Sequence, residues 1–312
     1  MIDASCCTAW MFHYVFERER TRFPNLKGLA PVEFSQFLDW VVRRGPVIHP
    51  AELIASIDGV QALPANAQLL TFDDGLQDHY RWVFPELLRR GLSGLFFVTT
   101  GTLENGRLLR VHRIHALQGM KGYRWLQEQF LSAAETSALR NRLSGLFADV
   151  RARLAYPYDD EGTAGFKYAI NYLLPALEVD AVLDRILADS FDESALAREF
   201  YMSRDQLMQM ADAGMHIGHH GHTHRPFSAL SITELAAEMN ASNHIFGEML
   251  AKNPVFLSYP HGDASSITEE HVAQLPQWGI KAAFLADQGN LAFHRLHLPR
   301  VDIKQWQNGA VR

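Results

Sequence analysis

The sequence predicts an α/β protein built on a parallel sheet covered by helices, and three observations carry this. Short apolar runs of strand length recur, among them Leu69-Leu70-Thr71-Phe72, Leu95-Phe96-Phe97-Val98 and Val255-Phe256-Leu257-Ser258-Tyr259; strands buried on both faces read as such runs. Stretches with apolar residues at helical spacing stand between them. The composition, 47% hydrophobic and 21% charged over 312 residues, is that of a globular chain long enough to bury a sizeable core.

Taken in order, Ala9 to Val15 reads as a first strand with His13 among apolar residues, and the polar stretch to Leu29, with Pro24 and Gly28, as loop. Phe34, Phe37, Leu38, Val41 and Val42 mark a helix ended by Gly45-Pro46. A short helix begins at Pro50, and the strand Leu69 to Phe72 follows. Tyr80, Val83, Phe84, Leu87 and Leu88 mark an amphipathic helix closed by Gly91, and Leu95 to Val98 is the next strand. The rhythm then breaks. Residues 101–201 carry helical periodicity with little strand signal, too long for a loop. Trp125, Phe130, Leu139, Leu143, Leu146, Phe147, Ile170, Leu173, Leu183, Ile186 and Leu187 supply its apolar face. It is expected to be a helical insertion or cap within one domain spanning 1–312. Alternation resumes with Ser203 as helix N-cap, a helix to Ala213-Gly214, and a short strand to Gly218. Ser231 and Glu234 form a capping-box start for another helix. Val255 to Tyr259 is a strand, a helix lies near Ile267 to Leu275, and Ala282 to Leu285 and Leu298 to Val301 complete the sheet.

Bulk properties narrow the function. The formal charge of −6 offers no basic surface for nucleic acid or anionic membranes. No apolar run approaches the ~20 residues of a membrane span. Met1 to Trp10 lacks a cationic start followed by an apolar core, so no secretory signal is read there. The two cysteines, Cys6 and Cys7, are neighbours and read as reduced thiols of a cytoplasmic protein.

Two stretches carry chemistry. In Thr71-Phe72-Asp73-Asp74-Gly75, adjacent carboxylates follow a buried strand where the chain begins to turn. Side chains alternate along a strand, so the two aspartates start in different directions and suit different roles at one site. Alone, the stretch also fits an ordinary Asp-Gly turn. In Gly214 to His224 five histidines fall within nine positions, His216, His219, His220, His222 and His224. Neutral imidazoles each need hydrogen-bond partners, which makes a cluster hard to place as core. His220 and His224 are four apart, and one helical turn would set both on one face. Two histidines and one carboxylate leave coordination open for water and substrate, as in catalytic metal sites.

Together, Thr71-Phe72-Asp73-Asp74-Gly75 and His220-x-x-x-His224 resemble the polysaccharide deacetylase family, the NodB homology domain or carbohydrate esterase family 4. The resemblance implies a distorted (β/α) barrel with its site at the C-terminal ends of the strands. It implies Asp73 as general base, and Asp74, His220 and His224 as ligands of a divalent metal, usually zinc, with Co2+, Ni2+, Mn2+ or Fe2+ as substitutes. Tyr259-Pro260-His261-Gly262 occupies the place of the family's Pro-Tyr-Gly motif, making the His261 amide the candidate oxyanion donor; a plain turn after a strand is the alternative. Ser258 stands where the family has an arginine that orients the base. Arg300, in Leu298-Pro299-Arg300, resembles the arginine of the subset that makes surface or biofilm polysaccharides, and a surface salt bridge is its alternative. That subset is circularly permuted with its acid histidine on the first strand, which matches His13, with His297 as second candidate. Gly221 stands where Ser or Thr is common, removing a hydroxyl that would support the loop. His216, His219 and His222 are left as supporting or structural residues. His112 and His115, one helical turn apart, face substrate or serve the core.

The activity so implied is removal of an N-acyl group, acetyl first and formyl second, from an amino sugar, with a nucleotide-linked, lipid-linked or short saccharide intermediate as substrate. An inactive, metal-holding carbohydrate-binding protein is the rival, and the retained Asp73 speaks against it.

Overall fold

The computed structural model describes residues 7–133, 152, 160–263, 265–286 and 294–311. Cys6, Leu139, Leu143, Leu146 and Phe147 lie outside the described residues. The chain divides into two compact units: residues 1–16, 28–106 and 197–312 form the first, and 17–27 with 107–196 the second.

The first unit holds a seven-stranded parallel sheet. Its strands are β1 (Cys7–Phe12), β2 (Ala67–Phe72), β3 (Leu95–Val98), β4 (His216–His219), β5 (Phe256–Ser258), β6 (Ala282–Phe284) and β7 (Arg300–Asp302). The order β6-β5-β4-β3-β2-β1-β7 follows the chain around the sheet. Leu298 then nearly closes the ring: its N–H donates to Ala283 O and its carbonyl accepts from Leu285 N–H, both at 2.9 Å. The result is a distorted (β/α) barrel.

Strand alternation decides what faces the barrel interior. Ala9, Leu69, Leu95, Phe97, Phe256, Ala282, Phe284 and Leu298 share one buried cluster inside. Their neighbours Trp10, Phe12, Leu70, Phe72, Phe96, Val98 and Val301 belong to a second, shared with the covering helices. Rings of Phe12, Phe72 and Phe96 stack across β1, β2 and β3 at centroid spacings of 5.0 and 4.6 Å. Every residue of β2 is buried, which is why its sequence does not alternate apolar with polar; its two polar residues, Gln68 and Thr71, are buried with hydrogen-bond partners on β1. Inside, Gly218 answers to Phe97: a Cβ there would lie 2.5 Å from the phenylalanine ring. The inward parity of β1 runs on to His13, that of β2 through Thr71 to Asp73, and those of β4 and β5 to His220 and Ser258.

The helices are α1 (Pro31–Arg44), α2 (Pro50–Ile57), α3 (Phe84–Arg90), α4 (Arg110–Lys121), α5 (Tyr123–Ala133), α6 (Glu161–Tyr168), α7 (Ala176–Ser190), α8 (Glu193–Phe200), α9 (Arg204–Asp212), α10 (Ile232–Met249), α11 (Glu269–Gln274) and α12 (Ile303–Gln307). Ser203 and Ser231 cap α9 and α10, and each capping box is closed by the side chain at N3, Gln206 and Glu234. The helix expected from Tyr80 opens instead as a π-helical turn, His79–Val83, before α3. The first strand stops at Phe12, short of the expected Val15, and His13 lies just beyond it. No helix among the described residues is long and apolar enough to cross a membrane.

The second unit is helical among its described residues. Phe130 and Phe166 meet edge to face at 5.6 Å, and Arg110 pairs with both carboxylate oxygens of Asp180 at 2.7 and 2.6 Å. His112 is buried on α4 with its ring 5.8 Å from that of His115.

Candidate metal centre and active site

The strand β2 delivers Asp73 and Asp74 to the C-terminal mouth of the barrel. Asp73 still follows the ladder, its N–H donating to Phe12 O at 3.0 Å. Asp74 does not. Its φ of +77° and that of +66° at Gly75 turn the chain through two left-handed residues, so the aspartates diverge because the backbone reverses. Left-handed backbone costs a residue with a Cβ on the order of 1 kcal/mol, and such positions gather where function requires them.

His220 and His224 follow β4. The expectation of a helical turn between them is wrong: the segment is a loop, with Gly221 at φ +71° and His224 at +61°. Two left-handed residues fold the loop back so that both rings meet Asp74. Asp74 Oδ1 lies 3.3 Å from Nε2 of each, and the three ligand atoms sit within 4.8 Å of one another. The His220 Nδ1–H donates to Ser258 O at 2.8 Å, which commits the Nε2 lone pair to the shared point. Burial lowers the pKa of His224 to about 4, more than Asp74 raises it, so its ring is neutral at ordinary pH. Burial also works against charge on His220, but Asp73 and Asp74 outweigh it and raise that pKa. Two inward imidazole nitrogens and a carboxylate oxygen form a donor set that fits a divalent ion such as Zn2+.

The loop does not lack support for want of a hydroxyl at Gly221, since its left-handed φ favours glycine there. Glu238, on α10, holds the loop from below. Its carboxylate accepts from His222 N–H at 2.7 Å, Thr223 N–H at 2.8 Å and Thr223 Oγ1–H at 2.5 Å. From β3, Thr99 Oγ1 donates to His220 O at 3.0 Å and Thr100 N–H to Gly221 O at 3.2 Å. Sequence reasoning passed over Glu238, yet its signal was there: a carboxylate in helical phase with Leu235, Met239 and Ser242, all buried.

Beneath the mouth, Arg300 is buried inside the barrel, so the surface salt-bridge reading fails. Nη1 and Nη2 donate to Asp73 Oδ1 and Oδ2 at 2.7 Å each, a bidentate pair. Nη1 also reaches Thr71 Oγ1 at 3.2 Å, Nη2 reaches Ser258 Oγ at 2.8 Å, and Nε donates to Leu285 O at 2.9 Å. Ser258 in turn donates to Asp73 Oδ2 at 3.2 Å, so the residue in the arginine's family position serves Arg300 and Asp73 together. Burial pushes the Asp73 pKa up, but the Arg300 charge and hydrogen bonds overcome it and bring it down to about 2. Asp73 is therefore an ionised carboxylate at any working pH.

The other predicted residues take distinct places. His13 follows the inward register of β1 beside Asp73, close enough for its charge to act on that carboxylate. His261 is exposed, with φ of +66° and its ring 5.2 Å from that of His224. Its turn is pinned from β6, where Ala286 N–H donates to Gly262 O at 2.8 Å. His297 is buried ahead of β7 with its ring 6.0 Å from His294. His219 faces outward, its Nδ1 2.9 Å from Ser242 Oγ and its ring edge-on to Phe246, a packing role. The His222 Nδ1 is 3.1 Å from Thr100 Oγ1, beside the ligand loop. His216, at the other end of β4, packs against His49 at 4.4 Å.

Residues 185–282 match the family model for polysaccharide deacetylase, a span holding His220, His224 and the Tyr259-Pro260-His261-Gly262 turn. The resemblance to the polysaccharide deacetylases stands. Solved structures share the fold along nearly the whole chain. The Streptococcus pyogenes deacetylase PplD in complex with acetate has TM-score 0.58 and 16% identity, over 96% of this chain and 92% of its own. IcaB from Ammonifex degensii has TM-score 0.58 and 17% identity, over 98% and 96%. A de-N-acetylase from Aggregatibacter actinomycetemcomitans has TM-score 0.56 and 15% identity, over 95% and 94%. No curated protein sequence matches the chain.

Proposed function

We propose that the chain is a divalent-metal-dependent N-deacetylase that hydrolyses the N-acetyl amide of an amino sugar during synthesis of a surface polysaccharide. The single observation that carries this is the Asp73–Arg300 pair beside Asp74, His220 and His224: a carboxylate held ionised and oriented next to a three-donor site. Pure metal storage or sugar binding has no use for that pair. Asp74, His220 and His224 would hold the ion, zinc being the best match to two imidazoles and a carboxylate. A bound ion supplies Lewis acidity toward the amide carbonyl and the attacking water.

This chain's own groups do the remaining work. Asp73 accepts the proton of the attacking water, and Arg300 with Ser258 keeps its oxygens aimed as it does so. The His261 N–H, held in its left-handed turn, donates to the developing oxyanion. His13 protonates the departing amine, a task suited to imidazole. The acetyl group is favoured because the similar PplD structure is a complex with acetate. We place the reaction in the cytoplasm, on a nucleotide-linked, lipid-linked or short saccharide intermediate.

The test is release of acetate and formate from a panel of N-acylated sugars, nucleotide-linked ones included. Acetate release that stops on chelation, and in Asp73→Asn with metal still bound, is the expected result. Formate alone would make the enzyme a deformylase. No release from any substrate by a fully metal-loaded protein would overturn the hydrolase reading.

A further inference from the structure

One buried titratable group has no part in the scheme above. His79 opens the π-helical turn that follows the Asp74-Gly75 reversal, and its side chain is fully buried. Its ring packs against Phe72 at 5.5 Å and Phe96 at 5.8 Å, in the layer between barrel and helices. A phenylalanine would fill such a slot without the cost of burying ring nitrogens. The use of those nitrogens is visible: Nε2 lies 2.7 Å from the backbone carbonyl of His13. A carbonyl only accepts, so Nε2 carries the proton and donates. Burial lowers the ring's pKa to about 4, which keeps it a neutral donor.

The contact falls where the sheet stops helping. The Phe12 carbonyl is the last of β1 to be taken by β2, by Asp73 N–H. Beyond it, the Tyr14 carbonyl accepts from Leu29 N–H at 3.0 Å. The His13 carbonyl between them is held by His79. We propose that His79 is a positioning residue: through this bond it fixes the backbone of His13 and so the placement of the His13 imidazole beside Asp73. The inference rests on the role given to His13 under Proposed function.

His79→Phe keeps the ring packing and removes the donor, and His79→Gln returns an amide N–H at similar reach. His79→Asn, too short to reach, is a second donor-less variant should the phenylalanine not fold. Each is loaded with Zn2+ and compared with wild type by metal content, kcat, KM and the NMR signals of the His13 imidazole, assigned with His13→Ala. We expect full metal content and unchanged KM in His79→Phe, with kcat down roughly ten- to a hundredfold, the scale of a misplaced group. His79→Gln recovers most of it, the His13 signals move in His79→Phe and not in His79→Gln, and His79→Phe costs nothing further when His13 is already alanine. Unmoved His13 signals in His79→Phe, or an equal kcat loss with and without His13, would overturn the proposal. If His13→Ala keeps full kcat, or wild type releases no acid at all, the reading of His13 or of the hydrolase falls instead, and the His13 signals decide the positioning bond alone.

Discussion

Arg300 is a guanidinium inside a barrel, and such a charge is stable there only because every direction it faces is occupied. Asp73, Thr71, Ser258 and the Leu285 carbonyl take its hydrogens. Removing one member of a buried pair strands the other, at about 3–5 kcal/mol. The pH signature follows from the sign of the Asp73 shift. Its folded pKa lies below the unfolded value, from 3.8 to about 2, so the stability it contributes, about 2 kcal/mol, is complete above pH 3.8 and is lost as pH falls through 2. In Arg300→Leu the guanidinium's charge and hydrogen bonds no longer oppose burial, and the carboxyl moves up. We therefore expect Arg300→Leu to lower kcat/KM and to shift its acid limb to higher pH, read from a pH–rate profile, together with a lower melting temperature. An unchanged acid limb would show that Asp73 is not the base. Arg300 stands in an apolar stretch, Leu296 to Val301, which is the sequence mark of a buried charge, but its partner lies 227 positions away and no local pattern names it.

At the scale of elements, the ligand loop after β4 shows how one spacing serves two geometries. Four positions separate His220 from His224, which on a helix means one face; here Gly221 and His224 adopt left-handed backbone and the loop brings the rings together instead. The strands were legible because burial on both faces writes an apolar run, and the caps of α9 and α10 because they are local. The ends of β1 and β5 were not, since the last hydrogen bond of a parallel ladder depends on a partner strand elsewhere in the chain. Glu238 was legible only as a misplaced charge on an apolar helix face. Its three bonds to His222 and Thr223 predict that Glu238→Ala leaves the helical circular dichroism intact while Zn2+ affinity drops roughly ten- to a hundredfold, the usual cost of losing such support. Competition with a metal indicator measures it. Affinity equal to wild type would mean that Thr99 and Thr100 suffice to hold the loop.

Across the whole first unit, Asp74, His224 and His261 all carry left-handed backbone at one end of one barrel. Each is a local cost that the remaining fold sustains, because a nearly closed sheet and its two buried clusters leave those loops no cheaper path. The donors for the ion come from loops after β2 and β4, with β3 between them, so a bound ion would join segments about 146 residues apart. Such a site exists only in the folded state, and ligand binding to that state adds RT ln(1 + [L]/Kd) to stability, about 2.7 kcal/mol at a hundredfold excess over Kd. Zn2+ should therefore raise the melting temperature by several degrees, with a logarithmic dependence on free metal, and chelation should reverse it. Asp74→Ala should abolish the response, while Asp73→Asn, which keeps all three donors, should retain it. That contrast separates holding the ion from using it: a shared loss in both variants would make the aspartates a single binding unit and remove the case for Asp73 as base.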